Sequence, residues 1–282
     1  MPDLVPLQPV DYLVMGHVTQ DLTRDGPCLG GTAAYSAQTA RALGLRVGII
    51  TSANETTSLK AFEGIQVISI PSEHTTTFEN LYSEDGRRQI LHHQAEHISY
   101  DLVPVVWRSA SIIHLGPVAQ ELDSDLQKNL TPSLLGITPQ GWMRTWNHDG
   151  RIISCKWQNA ERILSQAGAV VISREDVGSD EELIESMAHQ TRILAVTEAE
   201  AGAVLYWNGD RRRFRAPEVE EVDATGAGDI FASAFFIRLH QTRDPWEAAR
   251  FATQLSARSV TRMGLDGIPT QQEIDECLME VF

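Results

Sequence analysis

Six short apolar runs recur along the chain, "DYLVMG", "LRVGIITS", "ASIIHLG", "SLLGIT", "AGAVVIS" and "RILAVT", and each ends in Gly, Ser or Thr. Runs this short and this rich in Val, Ile and Leu are expected to be buried strands. Stretches with helical spacing, such as "GTAAYSAQTARALG" and "SDEELIESMAHQT", separate several of them. That alternation is the pattern of βαβ units around a parallel sheet, so a three-layer α/β domain is predicted. Ligands of such sheets sit beyond the carboxyl ends of the strands, which turns attention to the residues just after each run.

The 282 residues suffice for one sizeable core, and no linker divides them, so a single domain over 1–282 is expected. No run of about 18 apolar residues occurs, and "MPDLVPLQPV" lacks the basic start and apolar centre of a signal peptide. A cytoplasmic protein is the expectation. The net charge of −15 is spread along the chain, which argues against nucleic acid or an anionic membrane as partner. An anionic ligand would need a local device. Cys28, Cys155 and Cys277 are scattered and form no C-x-x-C pair, so they read as buried small hydrophobes rather than as disulfide or zinc ligands.

One region breaks the rhythm. "IQVISIPSEHTTTFENLYSEDGRRQILHHQAEHIS" alternates polar and apolar residues around a turn-like "EDGR", and predicts an antiparallel flap over about 62–98. Having no core of its own, it reads as a lid over a site, with "LVPLQP" as a further edge; a surface hairpin or a homodimer contact is the alternative.

The stretch "DATGAGDIF" carries the chemistry. Gly226 and Gly228 permit unusual dihedrals and a close approach of ligand to backbone. The apolar spacing beyond them is that of a buried helix. A small-residue loop opening a helix offers unpaired N–H groups and the positive end of the helix dipole, which bind phosphate without a basic side chain. Asp229 then stands in the first turn, placed to accept a proton from an attacking hydroxyl, with the N–H groups around Gly226, Ala227 and Gly228 beside the transferring phosphoryl. An N-capped helix with packing glycines is the plainer alternative. Asp223 reads as a loop-ordering or metal-side residue.

The whole string closely resembles the C-terminal signature of the PfkB/ribokinase family of carbohydrate kinases, D-[TSA]-[TV]-G-A-G-D-x-[FY]. "LGGTAAYSAQTARALGLRVGIIT" is similar to that family's first signature, and "MGHVTQDL" to its strand-end G-x-x-x-x-D. The resemblance implies a ribokinase-like fold, a mainly parallel sheet with a small β-strand lid, and transfer of the γ-phosphoryl group of ATP to a sugar, nucleoside or cyclitol. It implies acceptor-site positions at Asp21, Gly30, Gly31 and Tyr35, the last standing where the family usually has Asn. "VTEAEAGAVLYWNG" resembles the T-x-G-x-x-G nucleotide segment, implying ATP contacts at Thr197 and Gly202, together with Thr225, Gly226 and Gly228. The first glycine of that motif, that of T-x-G, is Ala199 here. The family's N-x-x-E falls on Ser173 and Asp176, implying a Mg2+ role for Asp176 alone, with magnesium otherwise held through water.

"HTTTFENLYSEDGR" and "PQGWMRTWNHDGRI" look similar to the inositol-kinase branch, or else share Trp and Gly positions through the fold alone. A non-catalytic sugar- or nucleotide-sensing protein on the same fold is the rival reading. A dinucleotide oxidoreductase is disfavoured because G-x-G-x-x-G does not follow the first strand.

Overall fold

The computed structural model describes residues 7–23, 26–83, 86–123 and 130–279. Strands β1 (Tyr12–Met15), β2 (Thr19–Thr23) and β3 (Gly26–Gly30) lead into helix α1 (Thr32–Ala42) and β4 (Val47–Ala53). Next come β5 (Gln66–Pro71), β6 (Thr76–Ser83), β7 (Gly86–His93), β8 (Ile112–Leu115), β9 (Leu134–Ile137) and a hairpin of β10 (Arg144–Trp146) and β11 (Ile152–Ser154). Then follow α2 (Ala160–Gln166), β12 (Ala169–Ser173), α3 (Glu181–Gln190), β13 (Ile193–Thr197), β14 (Ala203–Trp207) and β15 (Asp210–Phe214). Helices α4 (Ala227–Thr242), α5 (Pro245–Ser259) and α6 (Gln271–Met279) close the chain.

The six apolar runs are β1, β4, β8, β9, β12 and β13, all within one sheet of order β15-β14-β13-β12-β9-β8-β1-β4-β5. Pairing is parallel from β13 to β5 and antiparallel only through the β13–β14–β15 edge. Asn208 and Gly209 both take positive φ in the two-residue turn of that edge hairpin, the geometry a right-twisted hairpin needs.

Alternation along β1 divides the core. Tyr12 and Val14 pack on one face with α1, α4, α5 and α6, while Leu13 and Met15 pack on the other with α2, α3 and Trp107. Helix α4 is buried around nearly its whole circumference from Ile230 to Ile237, so it is an inner helix clamped between the sheet and its neighbours. It comes so close to the sheet that a Cβ on Gly136 would lie 2.6 Å from the Phe236 ring.

The second, small sheet expected as a lid is present but differently composed. Its sheet has the order β3-β2-β6-β7, so half of it comes from residues just after β1, and β2 pairs with β6 in parallel. β5, expected within the flap, is instead the parallel edge of the main sheet, because its residues hydrogen-bond to the long buried strand β4. The lid also has a small core of Phe78, Leu91, Val118 and Ala119, packed against Trp146 and Ile152 of the β10–β11 hairpin. Of "LVPLQP", residues 4–6 lie outside the described residues, and 7–9 form no strand. Glu84 and Asp85 of the "EDGR" turn also lie outside them. Of the cysteines, only Cys277 is buried; Cys28 is exposed on β3 and Cys155 half-buried, so the reading of all three as core residues is corrected.

Candidate active site

The loop before α4 is held by the acid at its start. One oxygen of Asp223 accepts from the N–H of Thr225 at 2.9 Å and the other from the N–H of Gly264 at 2.8 Å, while the N–H groups of Val222 and Asp223 bond to the carbonyl of Val260. Asp223 is thus a loop-ordering residue, with both oxygens occupied. The chain then turns on Gly226, whose φ of 79° is left-handed, and α4 begins. The N–H of Ala227 bends back to Ala224, which removes it from the set of expected donors. Among the described residues, the N–H groups of Gly228 and Asp229 have no backbone acceptor, and a Cβ on Gly228 would meet nothing within 4 Å. Open space therefore lies over a bare helix N-terminus, the shape and polarity that a phosphate group fits.

Asp229 sits beside that space and is partly buried. Burial pushes its carboxyl up to about 6, and the charges of Asp176 and Asp21 push the same way. A hydrogen bond from Thr32 and the charge of Arg144 oppose the rise without cancelling it. Thr32 is the first residue of α1, directly after the Gly-Gly turn, so the N-termini of α1 and α4 converge on this carboxylate. An acid with this value is mostly ionised near pH 7 yet still a competent proton acceptor.

Asp21 lies on β2 of the lid, opposite Cys28. A Cβ on Gly30 would stand 2.4 Å from Asp21 Oδ2, so the bare Gly30 leaves room for the carboxylate. We therefore expect Gly30→Ala to raise the acceptor KM about as much as Asp21→Ala does, on the order of tenfold or more, while changing stability by less than about 1 kcal/mol. Steady-state kinetics with a thermal melt checks this; an unchanged KM would detach Gly30 from the acceptor. Gly31 is bare for a backbone reason. Its φ is 85°, and a Cβ there would lie 2.7 Å from the carbonyl oxygen of His17.

Tyr35 is placed differently from the expectation. It is 2 % exposed, and its ring lies directly under the loop before α4, where a Cβ on Gly226 would come within 2.3 Å of it. It props the loop and has almost no surface to offer an acceptor. Burial pushes its phenol far up, with the charges of Asp223, Asp21 and Asp229 adding to the effect, so it stays neutral.

On the expected nucleotide side, Thr197 ends β13 and its hydroxyl donates to the carbonyl of Ile172 at 3.3 Å. Ala199 adopts a φ of 48°, a left-handed conformation that glycine takes without strain and alanine does not. A Cβ on Gly202 would lie 2.0 Å from the carbonyl oxygen of Phe214, so this glycine serves the close approach of two backbone segments. Glu198, between Thr197 and Ala199, is clamped by Arg174 at 2.7 Å and by Arg213. Burial alone would raise its carboxyl, but the two guanidiniums outweigh burial and hold it below the usual range.

Asp176 does not stand free for a metal. Oδ2 accepts from the N–H of Ser173 at 3.0 Å, and Oδ1 accepts from Gln140 at 3.1 Å with Arg144 3.7 Å away. No group of three or more His, Cys, Asp or Glu suited to a metal ion occurs among the described residues. The residues present do not build a direct Mg2+ site.

Two residues that act on Asp229, and a partner of one of them, escaped the sequence reading. Thr32 follows the Gly-Gly turn and had a signal there, a hydroxyl at the head of a helix. Arg144 and its lid partner Gln89, linked at 3.1 Å, had none, because a lone Arg in a short irregular hairpin looks like any surface cation.

Residues 148–271 match the family model described as pfkB family carbohydrate kinase. The ribokinase of Bacillus subtilis is 38% identical over 33% of this chain, and the match spans about a third, 32%, of that relative. The cytidine kinase of Thermococcus kodakarensis is 24% identical over 90% of this chain and 98% of its own. Among solved structures, a pyrophosphate-dependent kinase of the ribokinase family, complexed with a pyrophosphate analog and myo-inositol, superposes with a TM-score of 0.77 at 21% identity over 94% of this chain and 99% of that one. The fold is the ribokinase-like fold. The chain carries a PfkB-family carbohydrate kinase domain.

Proposed function

We propose that this kinase transfers the γ-phosphoryl group of ATP to a hydroxyl of a small polyhydroxylated acceptor, a sugar, nucleoside or cyclitol. The observation that carries the reading is the convergence of Asp229 with the bare N-terminus of α4, with the charge of Asp21 felt from the lid. Asp21 binds acceptor hydroxyls by charge-assisted hydrogen bonds. Asp229 removes the proton from the attacking hydroxyl, and the N–H groups of Gly228 and Asp229 take the charge that develops on the transferring group. The lid excludes water, the competing acceptor. Thr197, Gly202 and Thr225 line the nucleotide side as backbone positions more than as side-chain contacts. Magnesium belongs to the donor's phosphates rather than to protein ligands.

No helix among the described residues is long and apolar enough to cross a membrane, and we place the chain in the cytoplasm as one domain, its lid free or paired with a second copy.

A panel of sugars, nucleosides and cyclitols, each offered with ATP and with inorganic pyrophosphate and read by chromatography of the phosphorylated product, tests the reading. One strong acceptor fixes the function, and product with pyrophosphate alone replaces ATP as donor. Binding without turnover across the panel would favour the sensing alternative.

The pH dependence follows from Asp229. The groups that face it are Asp21 on β2, Asp176 after β12, Arg144 on β10, Tyr12 on β1 and Tyr35 on α1. Protonation disables the base, so kcat/KM is expected to be level above about pH 7 and to fall tenfold per pH unit on an acid limb centred near 6. An acid limb centred near 4 would assign the base to an unperturbed carboxylate elsewhere.

A further inference from the structure

Behind Asp229 the core holds polar groups that the transfer chemistry above does not use. His114 on β8 is fully buried, and its ring is engaged at both ends: Nδ1 meets the Tyr12 hydroxyl at 2.8 Å and Nε2 the Thr138 hydroxyl at 2.9 Å. Burial pushes the imidazole down to about 3, so the ring is neutral near pH 7. A neutral imidazole has one hydrogen for its two bonds. One hydroxyl therefore donates to the ring and the other accepts from it, which couples Tyr12 to Thr138. Phe236 of α4 holds the ring edge to face, with 5.1 Å between centroids, and approaches through the space that the bare Gly136 leaves opposite His114 on β9.

Both ends of this run of groups lead to Asp229. Thr138 follows β9, and a Cβ on Gly116 would lie 3.1 Å from its Oγ1 and 2.3 Å from Cγ2 of Thr32. The bare Gly116 thus has Thr138 and Thr32 side by side over it, and Thr32 is the residue that hydrogen-bonds to the Asp229 carboxylate. At the other end, Tyr12 stands beside Ser36 and Ser233, and its phenol feels both hydroxyls and the charge of Asp229. Ser36 lies one turn beyond Thr32 on α1, and Ser233 one turn beyond Asp229 on α4, where it donates to the Asp229 carbonyl. Tyr12, His114, Ser36 and Ser233 are all fully buried. A polar layer shared by β1, β8, α1 and α4 therefore lies under the carboxylate.

Apolar side chains of the same shape would fill this layer with little loss of stability, because a buried hydrogen-bonded pair contributes little net. They would not fix the hydroxyls beside Asp229. We infer that His114 is a positioning residue for phosphoryl transfer: through Thr138 it holds Thr32 on the Asp229 carboxylate, and through Tyr12 it sets the first turns of α1 and α4 against each other. The inference rests on the kinase reading above. His114 itself is closed off from acceptor and donor alike.

The test is the pH profile of turnover in variants of the full chain. His114→Leu is expected to lower kcat on the order of tenfold while leaving the acceptor and donor KM near their unaltered values. Its acid limb should move upward from about 6, because the Thr32 hydrogen bond that opposes the rise of Asp229 is loosened. The charged and titratable groups that face Asp229, namely Asp21 on β2, Asp176 after β12, Arg144 on β10, Tyr12 on β1 and Tyr35 on α1, are all unaltered in this variant. His114→Gln, whose amide reaches the Nε2 position and keeps a partner for Thr138, should restore most of kcat and return the limb toward 6. His114→Asn, whose amide reaches only as far as Nδ1, should not. Thr138→Val, which removes one hydroxyl at almost constant volume, should reproduce the shift even if His114→Leu fails to fold. A role in the core alone would lower the melting temperature of His114→Leu and leave kcat and the limb in place. That result, an unmoved limb in Thr138→Val, or equal recovery by His114→Asn and His114→Gln would each overturn the inference. Stability reads Asp229 without turnover: Asp229→Asn should stabilise the His114→Leu chain at pH 7 by more than it stabilises the unaltered chain. If it does so while no acceptor is phosphorylated, the kinase reading fails and the hold of His114 on Asp229 is still measured; if His114→Leu turns acceptors over with an unchanged profile, the reverse holds.

Discussion

Asp229→Asn is expected to lower phosphoryl transfer by on the order of 100- to 10,000-fold and, at neutral pH, to make the folded chain more stable. The loss is that of a general base, because an amide cannot take the hydroxyl proton. The gain has the same origin as the activity. Burial raises the Asp229 carboxyl from 3.8 to about 6, so the folded state prefers it protonated, and keeping it ionised at pH 7 costs the fold on the order of 2 kcal/mol after allowance for its partial exposure. A raised acid imposes no such cost well below its unfolded value of 3.8; the cost builds as pH climbs from about 4 to about 6 and is complete above that. Asn removes the charge and also its repulsion with Asp176 and Asp21. Denaturant melts of the two proteins should therefore diverge by about 2 kcal/mol at pH 7 and converge below about pH 3. Equal stability at both pH values would mean that Asp229 is not desolvated, and the argument for its poised carboxyl would go with it.

What could be read in advance followed the strength of local signals. The six strands and the two helical stretches were legible because burial on both faces demands continuous Val, Ile and Leu, and packing on one face demands helical spacing. The loop before α4 was legible because Gly226 has a left-handed φ and Gly228 leaves open space, two needs that sequence expresses as glycine. The lid was half legible. β6 and β7 showed as an alternating hairpin, whereas β2 and β3 are short, partly exposed and contain "GPCLG", a string with no strand pattern. β2 becomes a strand by pairing with β6, a contact about 55 residues away in sequence, and β3 by pairing with β2. β5 misled for the opposite reason, since its alternation fits a flap and an edge of the main sheet equally well. Tyr35 was read against a family position, but its ring fills the space under Gly226, which only the packing of α1 beneath the loop reveals.

Glu121→Ala is expected to destabilise the fold by about 3–5 kcal/mol and to disturb the acceptor side of the site with it. Glu121 is 1% exposed, and nothing around "PVAQEL" advertises a role for it. Oε1 accepts from the N–H of His17 at 2.8 Å and of Val118 at 2.9 Å, and Oε2 accepts from the N–H of Ala119 at 2.7 Å. One carboxylate therefore ties the segment after β1 to the segment after β8, where the backbones come so close that a Cβ on Gly16 would lie 2.2 Å from the carbonyl oxygen of Gly116. Alanine would leave three buried N–H groups without an acceptor and a void in the turn, which is why the expected cost is at the upper end for a single substitution. The effect reaches the site through His17. Its Nε2 faces the carbonyl of Glu96 at 2.9 Å and so carries the hydrogen, and its Nδ1 meets the hydroxyl of Thr76, the first residue of β6, at 2.6 Å. Moving His17 thus moves both the start of β2, which bears Asp21, and the start of β6. Glu121→Ala should raise the acceptor KM while leaving the acid limb near pH 6 in place, because Asp229 stands on α4 and is anchored separately. A change below about 1 kcal/mol in a denaturant melt, or an unaltered acceptor KM in a variant that melts early, would show that the two strand ends are held by their own backbone packing and not by this carboxylate.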